Sequence, residues 1–351
     1  MRVLVTGSSG FVGSHVVDAL AAGGHDVIAL DRARPSYGHG LADHIAGDVT
    51  DRALLARLLT GVDAVTHQAA MVGLGVDFAD VERYVVDNDL GTATLLHAMH
   101  DADFTGRLVL ASSMVVYGEG TYLCANHGTK RPPPRAPVDL DAGSFEPRCE
   151  ACDAFLVPVP VTEDAVLDPR NVYAATKLHQ EHLCQAFARE HGLGVTALRY
   201  HNVYGPRMPR DTPYAGVASI FTSALRRGDG PRVFEDGAQQ RDFVHVADVA
   251  RANVVALERD EAAPGAYNIA TGTPRSVLDL AHALADSLGV TDIEPVVTGE
   301  WRAGDVRHVF ASPQRAADVL GFRAKITFEQ GMAELASGAF ATTGSDAGES
   351  P

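Results

Sequence analysis

The N-terminal segment constrains the fold most strongly, because it combines a buried strand, a glycine turn and a helix. Residues 2–6 are apolar without polar alternation, as in a strand buried on both faces of a parallel sheet. Gly7, Gly10 and Gly13 follow, and residues 14–22 have a helical pattern. In such a turn Gly7 permits the tight bend, Gly10 lets the backbone approach a diphosphate, and Gly13 lets the helix pack closely on the strand. A glycine-rich loop without a ligand can have the same spacing, so the glycines alone do not establish a dinucleotide site. The next strand distinguishes the two interpretations.

The second predicted strand ends in an acidic residue that favours a particular dinucleotide. Residues 25–30 form this strand, and Asp31 follows Gly13 by 18 residues. A carboxylate there accepts hydrogen bonds from an adenosine ribose and repels a 2′-phosphate, whereas the alternative is an ordinary surface aspartate. The pattern therefore predicts NAD bound at a helix N-terminus. The neighbouring Arg32 leaves NADP open.

Strands and helices alternate through the first 112 residues, which predicts a doubly wound parallel sheet of the α/β class. The further predicted elements are strands at 42–46, 63–66 and 107–111 and helices at 51–59 and 80–99. Asp48-Val49 and Gln68-Ala69-Ala70 fall at carboxyl ends of strands, where such sheets bind ligands.

The chain divides into five predicted parts. They are an NAD-binding Rossmann domain (1–117), an insertion (118–170), a catalytic helix with the return strand of the sheet (171–205), a smaller mixed α/β, mainly substrate-binding lobe (206–336), and a disordered tail (337–351). The insertion is rich in proline and lacks a helical period, and the tail is small and polar.

Charge and composition exclude several classes of partner. The formal net charge is −16, which argues against general binding to nucleic acid or to an anionic membrane. No apolar run reaches membrane-spanning length, and no signal peptide precedes the first strand, so we expect a cytoplasmic protein. Four cysteines in 351 residues do not suggest a disulfide scaffold.

A tyrosine and a lysine lie four residues apart where the alternation resumes. Tyr173 and Lys177 would share one face of a helix beginning near residue 171. The lysine ammonium is expected to stabilise the phenolate and lower the tyrosine pKa, so that Tyr173 serves as base and acid. Ser113, at the end of the fifth strand, is placed to hydrogen-bond the reacting oxygen.

With these motifs the sequence resembles the extended short-chain dehydrogenase/reductase family, in particular its nucleotide-sugar epimerases and dehydratases. The resemblance covers residues 1 to about 335 apart from the insertion. It is carried by the segments 6–13, 67–70, 88–92, 112–118, 199–206, 241–246, 267–272 and 302–305 and by Tyr173 with Lys177.

The resemblance implies roles for individual residues. Ser113, Tyr173 and Lys177 would be catalytic. The NAD site would comprise Gly7, Gly10, Phe11, Val12, Gly13, Asp31, Arg32, Asp48, Val49, Gln68, Ala69, Ala70, Asn88, Ser112, Tyr173, Lys177 and His201. The nucleotide sugar, a UDP- or dTDP-hexose, would contact Ser113, Asn202, Arg241, Arg302 and Asp305.

Several of these assignments have structural alternatives. Guanidinium groups suit diphosphate oxygens, but an arginine can also be an ordinary surface or ion-paired residue. Asn88 could instead bridge backbone between helices, and His201 could serve packing. We interpret His67 as a structural residue at a strand end.

Two apolar residues restrict which of the family's reactions we expect this chain to catalyse. Dehydratases of this family carry an Asp-Glu pair directly after the catalytic Ser or Thr, where this chain has Met114 and Val115. Neither can transfer a proton, which favours a 4-epimerase that forms a transient 4-keto sugar with retained NAD. The alternatives are a dehydrogenase, reductase or decarboxylase of the same family, and a non-catalytic NAD-sensing or nucleic-acid-docking protein.

The insertion carries a C-x-x-H and a C-x-x-C motif. The ligand candidates are Cys124, His127, Cys149 and Cys152, with 21 residues between the two pairs. This spacing is typical of a structural zinc ribbon, and zinc would supply the folding energy of a segment with few apolar residues. A redox pair or inert thiols are the alternatives. We expect the insertion to cap the sugar pocket or a subunit edge, because it lies between two catalytic residues. It resembles the Cys/His insertion of actinobacterial-type and dTDP-rhamnose 4-epimerase-like members of the family.

Two further expectations concern Cys184 and assembly. Cys184 is expected to be a buried small hydrophobe on the catalytic helix. The family resemblance implies a homodimer that pairs the helices near 80–99 and 171–190.

Overall fold

A computed structural model describes residues 1–34, 42–73, 78–210, 215–302 and 304–338. The strands are β1 (Arg2–Thr6), β2 (Asp26–Asp31), β3 (Ala42–Ala46), β4 (Ala64–His67), β5 (Arg107–Ser113), β6 (Thr121–Cys124), β7 (Gly128–Lys130), β8 (Val157–Val159), β9 (Val195–Tyr200), β10 (Asn202–Tyr204), β11 (Arg232–Val233), β12 (Gln240–His245), β13 (Gly265–Ile269), β14 (Pro274–Ser276) and β15 (Val296–Val297). The helices are α1 (Phe11–Ala22), α2 (Arg52–Leu58), α3 (Val81–Tyr84), α4 (Gly91–Asp101), α5 (Pro137–Asp141), α6 (Val172–His191), α7 (Val217–Arg227), α8 (Val246–Glu258), α9 (Val277–Leu288) and α10 (Phe328–Ser337).

Seven parallel strands form the central sheet in the order β13-β9-β5-β4-β1-β2-β3. Apolar side chains cover both faces: α1 and α8 pack on one face, and α2, α4 and α6 pack on the other. Burial on both faces explains why central strands such as β1 are nearly uninterrupted apolar runs, whereas the edge strand β3 is largely exposed and carries polar residues. The predicted doubly wound α/β sheet is confirmed.

The helix predicted over 80–99 is continuous in path but changes its hydrogen bonding midway. A π-helical turn over Val85–Leu90 joins α3 to α4. The catalytic helix α6 is more regular: the Asn171 side chain caps its N-terminus, and Gly192, with φ of +67°, ends it. Cys184 on α6 is buried in the core below the sheet, as expected.

The remaining elements form the smaller mixed lobe. Helices α7, α9 and α10 surround a second apolar core, to which β12 also contributes. Strand β12 pairs with β10 in parallel and with β14 antiparallel. The predicted start of the tail needs a correction, because Ser337 is the last residue of α10 and its hydroxyl donates to the Glu334 carbonyl. Residues 339–351 lie outside the described part of the chain.

The insertion is built on a three-stranded antiparallel sheet. Strand β6 pairs with β7 on one side and with β8 on the other, and the short helix α5 interrupts a segment for which no helix was expected. Among the described residues, no helix has both the length and the apolar character that crossing a membrane requires.

Candidate functional site

The glycine turn after β1 is held too tightly for side chains. Gly7 has a φ of +67°, and a Cβ there would lie 2.5 Å from the Ala69 backbone nitrogen. A Cβ on Gly13 would lie 2.0 Å from the Gly7 carbonyl oxygen, so Gly13 does bring α1 close to the turn. Gly10 caps α1 without a side-chain hydrogen bond, and the first turn of α1 carries no acidic residue. The N-terminus of α1 is therefore suited to an anionic ligand.

Charged residues at the end of β2 organise the adjacent edge of this turn. The Asp31 carboxylate accepts hydrogen bonds from the backbone N–H groups of Ser9 (2.9 Å) and Ala33 (2.8 Å). The Arg32 guanidinium pairs with Asp87 at 2.7 Å and with Asp48 at 3.4 Å. Because two carboxylates already neutralise Arg32, this edge is poorly suited to a 2′-phosphate and better suited to NAD.

The end of β4 forms the floor of the cleft through internal hydrogen bonds. The His67 ring lies between the Thr6 and Thr92 hydroxyls, at 2.7 and 3.0 Å. Burial lowers the pKa of His67 to about 3, so the ring is neutral, which agrees with a structural role. The Gln68 side chain donates to the Asn253 side-chain oxygen at 2.9 Å, while the Ala69 N–H donates to Thr6 Oγ1.

Three residues proposed to line the NAD site have side chains engaged elsewhere. Asn88 is fully buried; its oxygen accepts from the Met71 N–H, and its nitrogen donates to the Met71 carbonyl and to Thr176 Oγ1. This matches the alternative in which Asn88 bridges backbone. The Ser112 hydroxyl contacts Glu181, so its side chain turns away from the cleft. Val49 packs against Gly91 at the start of α4.

Ser113, Tyr173 and Lys177 come together at the carboxyl end of β5. Ser113 is the last residue of β5, and its hydroxyl lies near enough to Tyr173 to lower the pKa of that phenol. The four-residue spacing on α6 brings Lys177 to the same side, where its ammonium donates to the Ala111 carbonyl at 2.9 Å. The structure thus brings together the three residues predicted to be catalytic.

The predicted lowering of the Tyr173 pKa is wrong for the protein as described. Burial raises the pKa of Tyr173 to about 12, the Ser113 hydrogen bond opposes this, and nearby Tyr84 adds to it. Burial also lowers the pKa of Lys177 to about 8, while Glu181 opposes that change. Desolvation of the phenol therefore exceeds the expected effect of the ammonium on the Tyr173 pKa.

Lys177→Met is expected to stabilise the protein at pH 7. The folded-state pKa is below the unfolded value of 10.5, so the cost of burying the ammonium is fully present below pH 8 and disappears as pH rises toward 10.5. Lys177→Met also removes the hydrogen bond to the Ala111 carbonyl. After that loss is subtracted, we expect the free energy of unfolding at pH 7 to rise by about 1–3 kcal/mol. Urea unfolding of both proteins at pH 7 and pH 10 checks this, and a difference that does not shrink at pH 10 would contradict it.

A buried ion pair beneath this site escaped the sequence analysis. The Glu181 carboxylate accepts from Arg199 Nε at 2.9 Å and from a terminal nitrogen at 2.7 Å. Arg199 also donates to the Tyr117 hydroxyl at 3.0 Å. Glu181 lies four residues after Lys177, so the helical spacing could have indicated that it shares the face of Tyr173 and Lys177.

The proposed substrate residues differ in how they are held. Asn202 offers a buried side-chain oxygen that has no hydrogen-bond partner among the described residues. The Arg302 guanidinium lies 4.6 Å from the centre of the Phe234 ring. Burial raises the pKa of Asp305, while Arg241 and Arg302 oppose this. His201 is buried, and burial lowers its pKa to about 4, which fits a neutral packing role.

Arg241 uses its terminal nitrogens internally. One donates to the Arg307 carbonyl at 2.8 Å, and the other donates to the Val306 carbonyl at 2.6 Å. Direct contact between Arg241 and a diphosphate stays a prediction.

The four Cys/His residues of the insertion converge. Their ligand atoms all lie within 4.8 Å of one another. Cys124 Sγ lies 3.7 Å from Cys152 Sγ and 3.6 Å from His127 Nδ1, and Cys149 Sγ lies 3.6 Å from the same nitrogen. A tetrahedral zinc site separates such ligands by about 3.5–3.8 Å, so the cluster has the dimensions of one. All four cysteines of the chain are free thiols in this structure.

Comparisons with known proteins agree with this arrangement. A sequence model of the NAD dependent epimerase/dehydratase family matches residues 3–139 and 153–270. The intervening gap includes Cys149 and Cys152. Over 347 residues the chain is 31% identical to the dTDP-L-rhamnose 4-epimerase of Burkholderia thailandensis, covering 95% of this chain and 93% of that protein.

Two solved structures have the same fold. The UDP-glucose 4-epimerase of Thermotoga maritima with UDP-glucose has a TM-score of 0.78, at 30% identity over 96% of this chain and 98% of that chain. The UDP-glucose 4-epimerase of Thermus thermophilus in complex with NAD has a TM-score of 0.74, at 28% identity with the same coverage. The chain therefore belongs to the NAD dependent epimerase/dehydratase family.

Proposed function

We propose that this protein is an NAD-dependent nucleotide-sugar 4-epimerase. The observation that carries the proposal is that Ser113 groups with Tyr173 and Lys177 and is itself followed in the chain by the apolar Met114 and Val115. The three polar residues can support oxidation and reduction at a sugar carbon, whereas the two apolar residues cannot supply the acids of a dehydratase. Membership of the epimerase/dehydratase family and the 4-epimerases among its relatives support the same reaction.

NAD fits the cleft on the geometry of this chain. The uncapped N-terminus of α1 suits the diphosphate, and Asp31 retains lone pairs for a ribose hydroxyl. When bound, NAD would accept a hydride from C4 of the sugar and return it to the opposite face. The cofactor is then unchanged overall and should stay bound between turnovers.

The residues of the chain move and hold the proton at O4. Tyr173, as the phenolate, would accept the O4 proton during oxidation and return it during reduction, while Ser113 hydrogen-bonds the same oxygen. The buried Lys177 would stabilise the phenolate form of Tyr173, which is present before the proton is accepted and again after it is returned. The 4-keto sugar has to turn over in the pocket, so that hydride returns to its other face.

The substrate class is a UDP- or dTDP-linked hexose. The relatives named above act on or bind both types of nucleotide, and an unpartnered Asn202 oxygen offers one contact for the sugar nucleotide. An NMR time course with pairs of C4 epimers, UDP- and dTDP-linked and without added cofactor, tests the proposal. Interconversion of one pair at constant NADH absorbance is expected. Net reduction of bound cofactor or release of CO2 would instead identify a dehydrogenase or a decarboxylase.

We further propose that the Cys/His cluster of the insertion binds one structural zinc ion. Three thiols and one imidazole leave no coordination position for water, and their separations suit tetrahedral zinc. Cys149→Ser should abolish stoichiometric zinc in purified protein, as measured by elemental analysis. Cys184→Ser, which removes a thiol outside the cluster, should retain it. Equal zinc contents in the two variants would contradict the proposal.

We also propose a homodimer that pairs α6 and the helical segment 81–101. On this segment Val85, Val86 and Leu90 are 44%, 45% and 50% exposed, and their turn packs beside α6. Such a row of apolar side chains suits a helix-pairing interface. Sedimentation equilibrium of the intact chain should give twice the monomer mass of 37.1 kDa. A monomer mass would contradict the pairing.

A further inference from the structure

The two chain segments that lead into the Cys/His cluster contact the same segment of the substrate lobe, residues 304–308. In the first of them, Glu119, two residues before β6, accepts hydrogen bonds at Oε1 from the Arg307 N–H at 2.7 Å and from the Tyr122 hydroxyl at 2.6 Å. The His308 N–H also donates to the Tyr122 hydroxyl at 3.2 Å. Tyr122 is two residues from Cys124, so this contact lies next to the first ligand pair.

The second segment leading into the cluster contacts residues 304–308 through Glu146, which lies outside the strands, three residues before Cys149. Glu146 Oε1 accepts from Arg307 Nε at 2.9 Å and from a terminal nitrogen at 2.6 Å. Glu146 Oε2 lies 2.9 Å from His308 Nε2. His308 Nδ1 accepts from the Gln240 N–H at 3.1 Å, so Nε2 carries the proton and donates to Glu146.

Arg307 joins the insertion to the substrate lobe at a fully buried position. Its side chain has no exposed surface, and it contacts Glu235 and Asp236 of the lobe at 2.7 Å in addition to Glu146. Charge-assisted hydrogen bonds at a buried arginine are directional and strong. The backbone of 304–308 is thereby held between two parts of the chain.

The held segment also positions a residue of the proposed substrate site. Arg241 donates to the carbonyls of Val306 and Arg307, at 2.6 and 2.8 Å. From the insertion, Arg135 donates to the Asp305 carbonyl at 3.0 Å and pairs with Glu235 at 2.8 Å. Any shift of 304–308 would therefore move the guanidinium of Arg241.

The insertion has few buried apolar side chains to hold the segments that carry Glu119 and Glu146 in place. Its buried core around the cluster comprises Tyr122, Cys124, Cys149 and Leu156. Two of these four are proposed metal ligands. A bound metal would cross-link the two chain segments that carry Glu119 and Glu146 and fix the distance between the two carboxylates.

We infer that the insertion is a latch that positions the nucleotide-binding side of the substrate pocket. Glu119 and Glu146 are the positioning residues, and they hold segment 304–308. The metal cluster fixes the distance between the two carboxylates. The inference rests on the proposed nucleotide-sugar function. It assigns the insertion to binding of the nucleoside diphosphate and not to hydride transfer.

The experiment measures UDP and dTDP affinity by calorimetry, bound NAD, and hydrogen exchange of peptides covering 304–309. Tyr122→Phe should weaken nucleotide binding and raise KM by about fivefold, with kcat and NAD content unchanged. Glu119→Ala should weaken nucleotide binding more strongly. Glu119→Gln should retain most of the wild-type affinity, because its amide oxygen can still accept the hydrogen bonds from Arg307 and Tyr122. Removing zinc with a chelator should speed exchange in 304–309 by about tenfold, but not in β1 or β5.

Tyr267→Phe is the matched control, because its hydroxyl makes only a 3.4 Å contact with the Pro264 carbonyl, on the sheet-edge strand β13. It should change neither affinity nor exchange in 304–309. Unchanged exchange in 304–309 after zinc removal, or equal effects of Tyr122→Phe and Tyr267→Phe, would overturn the latch. If nucleotide affinity responds as expected but no epimer pair interconverts, the proposed reaction fails and the latch stands.

Discussion

Replacement of Tyr173 by phenylalanine should lower kcat for C4 epimerisation by about 10³-fold. The substitution removes the hydroxyl that we propose exchanges a proton with O4, and general acid–base groups contribute roughly 10²–10⁴-fold. The ring remains, so packing against Tyr84, at a centroid distance of 6.1 Å, is preserved. We therefore expect bound NAD and KM to stay near the wild-type values. Initial rates at saturating sugar nucleotide provide the measurement.

Tyr84→Phe is the control for this substitution. Its hydroxyl donates to the Gly73 carbonyl at 2.9 Å and belongs to the packing around Tyr173, not to the reacting groups. We expect kcat within about fivefold of wild type, the cost of one hydrogen bond. A Tyr173→Phe enzyme that retains a tenth of the wild-type kcat would show that another group moves the proton.

Arg307→Met should reduce the free energy of unfolding by about 3–5 kcal/mol. Removing one partner of a buried ionic cluster leaves buried carboxylates with one cation fewer: Glu235, at 2% side-chain exposure, still pairs with Arg135, but Glu235, Asp236 and Glu146 all lose Arg307. Urea unfolding monitored by circular dichroism provides the measurement. Methionine retains most of the side-chain volume, so the loss would report the charge and its hydrogen bonds.

The same substitution at Arg232 provides a matched comparison. Arg232 pairs with Glu300 at 2.8 Å, but the two side chains are 61% and 55% exposed. Solvent screens such pairs, so Arg232→Met should cost about 0–1 kcal/mol. Equal losses in the two variants would contradict a special role for the buried Arg307 cluster.

The sequence predicted the sheet well because each of its main strands leaves a local pattern. Segment 2–6, the glycines at 7, 10 and 13, and the acid at 31 are determined by neighbours along the chain, and the structure brings them together as expected. The spacing of the Cys/His residues likewise predicted that they cluster, because each pair lies within one short turn. Zinc binding by this cluster stays a prediction.

What the sequence did not predict depends on contacts between distant residues. The carboxylates around Arg307 come from positions 146, 235 and 236, and no local pattern joins them. Ser112 turns toward Glu181 and Arg241 toward the carbonyls of 306 and 307, which depends on packing between separate elements. The Tyr173 pKa was mispredicted because spacing gives the position of Lys177 but not the extent of burial.

Transfer of a C4 label tests the central claim most directly. The protein, without added cofactor, is incubated in water with a sugar nucleotide carrying deuterium at C4, and the epimeric product is examined by NMR. Hydride transfer to retained NAD and back predicts that deuterium stays at C4 of the product. Loss of the label to solvent, or an epimer that forms only when external NAD is supplied, would contradict a 4-epimerase with a retained cofactor.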